Sequence, residues 1–205
     1  MAVTLPGFAD PVLDAQACFR ALLDAMARPG SIHRAGAALI APAPLCPAAA
    51  AVLLALVDGE SSVFIDPAFA EAADWVRFHC GVAPTADQTT AAFVLASSLP
   101  DLASLACGSD EGPEDAATVI LQVSAFGEGP SFTLAGPGLQ YPTDLRVTGL
   151  PADFAARWAD NHRLFPRGID LILCAGDRLV ALPRSVTIAP RSVTIAPRSV
   201  AITES

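Results

Sequence analysis

The sequence contains no lysine, because all 12 of its basic residues are arginine. Without a side-chain amine the chain cannot form an internal Schiff base with pyridoxal phosphate. It also lacks the lysine with which a P-loop reaches the β- and γ-phosphates of a nucleotide. The formal net charge is -9 and no segment concentrates basic residues, so nothing provides an electrostatic footprint for nucleic acid. These absences exclude two large classes of cofactor-dependent protein and argue against a nucleic-acid partner.

The cysteines and histidines form no disulfide or metal-binding pattern. The 5 cysteines are scattered with no CxxC pair, and the 3 histidines do not have the spacing of metal ligands. An odd number of cysteines among apolar neighbours is typical of reduced thiols in a cytosol. No apolar run approaches the roughly 20 residues that cross a bilayer, and the first residues lack a secretory signal. We therefore expect a soluble, cytoplasmic protein with no metal, no cofactor and no membrane partner.

Length and composition predict one domain of the α/β class. The chain has 205 residues, of which 53% are hydrophobic and 16% charged, so it can bury a core. Capped helical segments alternate with short β-branched runs, and this order indicates a single-domain αβα sandwich around a mixed β-sheet. Helices are predicted between residues 10 and 30, 47 and 59, 66 and 81, 102 and 106, and 151 and 164. Strands are predicted over 62–65, 92–95, 118–126, 132–134, 145–147, 169–174 and 178–182, with 31–34 extended.

Two local patterns make sharper predictions. The run 118–126 is almost unbroken in its apolar character, which is typical of a strand buried on both faces at the centre of a sheet. Gly59 and Gly81 follow the second and third predicted helices, where a glycine in the left-handed conformation is a common stop.

The C-terminal residues repeat a short motif. Residues 183–189 read Pro-Arg-Ser-Val-Thr-Ile-Ala, and the same seven letters recur at 190–196 and approximately at 197–203. Proline in every copy prevents a continuous helix, whereas Val-Thr-Ile favours a strand. We therefore divide the chain into an α/β domain at 1–189 and a duplicated tail at 190–205, which is frayed or extends a sheet edge.

Four polar residues are candidates for binding an anion. Arg77 and His79 lie near the end of a predicted helix, where they could accept a phosphate or phosphonate. Asp170 begins the strand at 169–174 and Arg184 follows the strand at 178–182, which suits a pocket rim or a salt bridge between subunits. The alternative for each residue is a local structural role. The four do not make a catalytic constellation, and we predict no catalytic residue among them.

The sequences that often carry chemistry are incomplete. Gly136-Pro137-Gly138 begins like a dinucleotide fingerprint, but the third glycine is missing and proline removes a donor, which favours a simple turn. No GxSxG motif is present. Acidic pairs such as Asp110-Glu111 could bind a cation, although solvated loop charges are the simpler interpretation.

Several segments read together resemble the PhnH family, which provides the H component of the carbon-phosphorus lyase system. They occur in order from about residue 10 to about residue 185. The matching residues are Asp14-Ala15-Gln16, Phe19-Arg20, Leu22-Leu23, Ala25-Met26, Pro29-Gly30, Arg77-Phe78-His79, 117–123, Leu134, Gly136, Gly138, Phe165-Pro166, 168–173 and Pro183-Arg184. The repeated tail after Arg184 extends past the usual end of the family.

The resemblance implies a fold like the pyridoxal-phosphate-dependent transferases without that cofactor, in agreement with the absence of lysine. It also implies a homodimer when the chain is isolated and assembly with the G, I and J subunits of the same system. The complex makes α-D-ribose 1-methylphosphonate 5-triphosphate from ATP and an alkylphosphonate, with the chemistry on the partners. The expected role is thus a non-catalytic or co-catalytic subunit.

Two other functions remain open from the sequence. One is a stand-alone transferase with an arginine-lined pocket around Arg77, His79 and Arg184. The other is a small-ligand binding module that senses phosphonates.

Overall fold

The computed structural model describes residues 5–191. Its α-helices are α1 (Pro11–Ala27), α2 (Pro47–Leu56), α3 (Ala70–Cys80) and α4 (Phe154–His162). Its strands are β1 (His33–Arg34), β2 (Val63–Ile65), β3 (Phe93–Ala96), β4 (Thr118–Gln122), β5 (Ala125–Ala135), β6 (Thr143–Thr148), β7 (Asp170–Ala175), β8 (Arg178–Leu182) and β9 (Thr187–Pro190). Short 3-10 turns connect them, and one of these, Leu102–Ser104, replaces the helix predicted at 102–106.

A six-stranded mixed sheet forms the centre of the fold, in the order β1-β8-β7-β4-β3-β2. Strands β2, β3, β4 and β7 are parallel, and β8 and β1 run antiparallel to their neighbours. Strand β4 lies between β3 and β7, so the prediction of a central strand there is confirmed. The α/β class and the mixed sheet are confirmed as well.

Alternate residues of the sheet face two different hydrophobic layers. Leu95, Ile120 and Ile172 pack towards α1, α2 and α3, and in α2 the six residues 48–53 are all buried alanine, valine or leucine. Their strand neighbours, such as Val119 and Leu171, face the opposite layer. That layer consists of α4 and a three-stranded antiparallel sheet in the order β6-β5-β9. A second sheet thus covers much of the face that an αβα sandwich would cover with helices.

The strand predicted over 118–126 is two strands in two sheets. The first, β4, ends at Gln122, and the second, β5, begins at Ala125 in the smaller sheet. Ser124 changes the pairing partner, because its amide donates to the carbonyl of Thr148 in β6. The apolar run continues through the break because Leu121 and Val123 before it and Phe126 after it are buried in the same hydrophobic layer. A continuous apolar pattern therefore did not reveal where the chain changes sheets.

The helix boundaries follow local signals. Asp10 caps α1 by accepting hydrogen bonds from the amides of Val12 and Leu13, and Pro11 begins the helix. Gly81 ends α3 with φ of 68°, as predicted. The prediction for Gly59 was wrong, because α2 ends earlier at an extended Val57, and Gly59 does not have a positive φ.

The first repeat of the C-terminal motif is part of the smaller sheet. Strand β9 pairs antiparallel with the end of β5, and Arg191 continues the pairing by donating its amide to Ser131. The proposed boundary between residues 189 and 190 thus falls inside β9. The rest of the predicted tail lies outside the described residues.

Candidate functional site

Asp170 and Arg184 form an ion pair within the chain. The guanidinium Nη2 of Arg184 lies 2.6 Å from Asp170 Oδ2, and the side chain of Arg184 is 14% exposed and that of Asp170 is 20% exposed. Nε of Arg184 also donates to the carboxylate, its Nη1 donates to the carbonyl of Pro113 at 2.6 Å, and its amide donates to Asp170 Oδ1. Each guanidinium nitrogen therefore has a protein acceptor. This geometry joins the start of β7 to the end of β8 and engages all three guanidinium nitrogens of a side chain that is only 14% exposed.

Arg77 and His79 have separate surroundings on α3. Arg77 is 60% exposed and pairs with Asp74 one turn away, at 3.1 Å. His79 packs against Trp75, and its Nε2 lies 3.0 Å from the carbonyl oxygen of Leu5. Nε1 of Trp75 donates to the same oxygen at 3.1 Å. The two aromatic side chains thus fasten the N-terminal segment to α3.

The four candidates do not converge on one site. Asp170 and Arg184 are together, whereas Arg77 and His79 are two positions apart on a helix and point in different directions. Over residues 5–191, no hydrogen bond or ion pair joins these two pairs. Two cavities, of about 280 and 610 Å³, are lined by none of the four.

Sequence reasoning missed a carboxylate at the ends of two parallel strands. Asp66 follows β2, and its Oδ2 accepts hydrogen bonds from the amide and the hydroxyl of Ser97, which follows β3. Its Oδ1 accepts from the amide of Ala68 at the start of the next turn. Partial burial raises the pKa of Asp66, but these hydrogen bonds lower it by more. The net pKa of Asp66 is therefore below its ordinary value. The sequence signal that could have found this pair is that Asp66 and Ser97 each come directly after a strand.

The thiols are poor nucleophiles. Burial raises the pKa of Cys18 to about 11 and that of Cys80 to about 12, and it raises the pKa of Cys174 well above its ordinary value. All five cysteines are free. In residues 5–191, no three histidine, cysteine, aspartate or glutamate residues are grouped so that they could hold a metal ion. Nor does any helix in that part of the chain have the length and apolar character to cross a membrane.

Several large apolar side chains of α1 are exposed. Its buried side carries Cys18, Leu22 and Ala25. On a neighbouring side Val12, Phe19 and Leu23, separated by seven and four residues, form a stripe in which the side chains are 75%, 44% and 53% exposed. We call these three residues the α1 stripe. Large apolar side chains aligned on one helix face are typical of an interaction surface.

These features define an α/β protein in which Asp170 and Arg184 pair within the chain and an apolar stripe on α1 is exposed. The chain belongs to the PhnH family, described as bacterial phosphonate metabolism proteins, because the family model matches residues 6–189. It is 39% identical over 186 residues to the alpha-D-ribose 1-methylphosphonate 5-triphosphate synthase subunit PhnH of Rhizobium meliloti (strain 1021), covering 88% of this chain and 93% of the relative. It is 36% identical over 178 residues to the putative C-P lyase subunit protein HtxG of Stutzerimonas stutzeri, covering 84% of this chain and 85% of the relative. The resemblance noticed in the sequence is confirmed.

Proposed function

We propose that this protein is a subunit of a carbon-phosphorus lyase complex for phosphonate use, where it contributes a docking surface and no bond-making group. Two relatives that cover most of its length are named as subunits, one of an alpha-D-ribose 1-methylphosphonate 5-triphosphate synthase and one of a C-P lyase. The observation that carries the docking role is the α1 stripe. It leaves apolar side chains exposed at a place where a partner subunit can cover them.

The contacts of Arg184 and Asp66 support a non-catalytic or co-catalytic role. Arg184 is engaged by Asp170 and Pro113, and Asp66 is engaged by Ser97. A transferase site needs groups that are free to bind the transferring phosphoryl or phosphonyl oxygens. On this proposal, synthesis of α-D-ribose 1-methylphosphonate 5-triphosphate from ATP and an alkylphosphonate takes place on partner subunits.

We further propose specific partners, a cellular location and a fold family for this chain. The partners are the G, I and J subunits in the cytoplasm, where five free thiols are suited to a reducing environment. In their absence the α1 stripe of one molecule meets that of a second in a homodimer, since a twofold axis brings identical patches together. The backbone is expected to follow the fold of pyridoxal-phosphate-dependent transferases.

Co-purification tests the docking surface. The variant carrying Phe19→Asp and Leu23→Asp is expected to fold, because both side chains are about half exposed. It should fail to capture the G, I and J subunits and should be monomeric by light scattering. Phe165→Asp, at a side chain 58% exposed that follows α4 in the layer opposite α1, is the matched control and should capture them as the wild type does. Equal capture by both variants would refute the α1 stripe as the docking surface.

Activity of the isolated chain tests the role itself. The purified protein, alone and then with the other subunits, is incubated with ATP and methylphosphonate, and adenine release is measured. We expect release only in the presence of the partners. Release by the chain alone would instead support the stand-alone transferase, and wild-type protein that captures no partner would refute the subunit role.

A further inference from the structure

A cavity of about 280 Å³ lies between α1, the segment before it and the loop that follows β1. Its wall is mainly apolar, with Phe8 from the first segment, Cys18 from α1 and residues 35–39 from the loop. Two charged residues, Asp14 and Arg34, also line this space, which we call the α1 cavity. We propose that the α1 cavity binds a short zwitterion, with an ammonium group at one end and a phosphonate or carboxylate group at the other.

The walls of the α1 cavity are held in place by contacts elsewhere in the chain. The segment before α1 is fastened to α3, because Trp75 and His79 both contact the carbonyl oxygen of Leu5. The loop approaches α2 closely at Gly36, which has a φ of 69° and where a Cβ would collide with the carbonyl oxygen of Pro47. Walls that are already fixed do not have to be ordered when a ligand binds, so less of the binding free energy is lost.

Arg34 supplies donors for the anionic group of the ligand. Its side chain is 77% exposed, and a carboxylate oxygen of Asp177 lies 3.6 Å from its Nη1, which is beyond hydrogen-bonding distance. Arg184 differs in this respect, because each of its guanidinium nitrogens already has an acceptor. The guanidinium of Arg34 can therefore donate two parallel hydrogen bonds to a phosphonate or a carboxylate.

Asp14 supplies an acceptor for the ammonium group. The residue is half-buried in the first turn of α1, and its Oδ2 accepts a hydrogen bond from the amide of Asp10 at 3.0 Å. An ionised carboxylate has two oxygens and about four acceptor positions. Asp14 therefore keeps acceptor capacity for an ammonium group that enters the α1 cavity.

The charges favour a ligand that carries both signs and little net charge. The formal net charge of the chain is -9, which repels a free anion, and Asp14 adds a negative charge to the cavity itself. A simple cation would meet Asp14 but would be repelled by Arg34. A zwitterion satisfies both side chains, and the alkyl chain between its charged groups packs against the apolar wall.

The α1 cavity and the α1 stripe are on different sides of the helix. Successive residues of an α-helix are rotated by about 100°, so Asp14 and Ala17 lie roughly opposite the α1 stripe. A partner that covers the stripe does not need to cover the cavity. We therefore expect the isolated chain to bind the ligand, and failure of the docking proposal would leave this inference unaffected.

Isothermal titration calorimetry of the purified full chain tests the proposal with four small molecules. Two are zwitterions, γ-aminopropylphosphonate and γ-aminobutyrate, whereas propylphosphonate and propylamine each carry only one of the two charged groups. We expect saturable binding of at least one zwitterion with a dissociation constant below about 1 mM, and binding weaker by about 10-fold or more for propylphosphonate and propylamine. The zwitterion that binds more tightly identifies the anionic group. No saturation by either zwitterion up to about 10 mM, or equal binding of propylphosphonate or propylamine, would overturn the proposal.

Two substitutions locate the ligand within the chain. Asp14→Asn keeps an acceptor for the amide of Asp10, and Arg34→Gln changes an exposed side chain, so both variants are expected to fold and to melt as the wild type does. Each should weaken binding of the zwitterion by about 10-fold or more. Asp24→Asn and Arg28→Gln are the matched controls, because these residues form an exposed ion pair at the end of α1 and do not line the cavity. Binding that is unchanged in Asp14→Asn and Arg34→Gln, or equally weakened in the controls, would refute the α1 cavity as the site.

Discussion

The ion pair between Asp170 and Arg184 is expected to contribute strongly to stability. The two side chains are only 20% and 14% exposed, and the carboxylate accepts from Nε, Nη2 and the backbone amide of Arg184. Asp170→Asn keeps the shape but removes the charge, which leaves the buried guanidinium without a counterion. Removing one partner of a buried pair costs about 3–5 kcal/mol, and the residual exposure places this pair at about 3 kcal/mol.

Asp153→Asn provides a matched control for that change. Asp153 pairs with Arg157 at 2.9 Å, but the side chains are 56% and 42% exposed. An exposed pair on one helix contributes less than about 0.5 kcal/mol. Urea unfolding at neutral pH, followed by tryptophan fluorescence, gives the free energy of unfolding of both variants. A loss below about 1 kcal/mol for Asp170→Asn, or equal losses for the two variants, would refute the assignment of Asp170 to a stabilising buried pair.

Three further outcomes follow from individual contacts. The pKa of Asp66 is lowered in the folded protein, so the ionised carboxylate favours folding. This contribution to stability is present above the unfolded pKa of about 3.9 and is lost as the pH falls through the pKa of Asp66 in the folded protein. Acid unfolding of Asp66→Asn should therefore show a weaker pH dependence than that of the wild type. Trp158→Phe removes the donor to the buried carbonyl of Val186 and should lower the free energy of unfolding by about 1–3 kcal/mol, as measured in urea. Ellman's reagent at pH 8 should react slowly with Cys18, Cys80 and Cys174 in the folded protein and with all five thiols in denaturant, because these three thiols are buried and burial raises their pKa. Rapid reaction of all five thiols in the folded protein would contradict the burial of these three.

Much of the local structure could be predicted from short stretches of sequence. Asp10 and Pro11 mark the start of α1, and Gly81 marks the end of α3, because capping depends on residues within a single turn. The hairpin between β7 and β8 was also predictable from Gly176 in its turn. The order of the segments and their motifs identified the α/β class and the family, and the missing lysine by itself excluded a Schiff base.

The tertiary structure decided which distant residues meet. The sequence could not place the carbonyl of Pro113 beside Arg184, because these residues are 71 positions apart and belong to different segments of the fold. It could not divide the run 118–126 between two sheets, because Val123 before the break and Phe126 after it are buried in the same hydrophobic layer. Nor could the helical period alone tell which apolar side of α1 is buried, since this depends on packing against α2 and β8. Local signals act over a few residues, whereas pairing, burial and the availability of a surface depend on the whole chain.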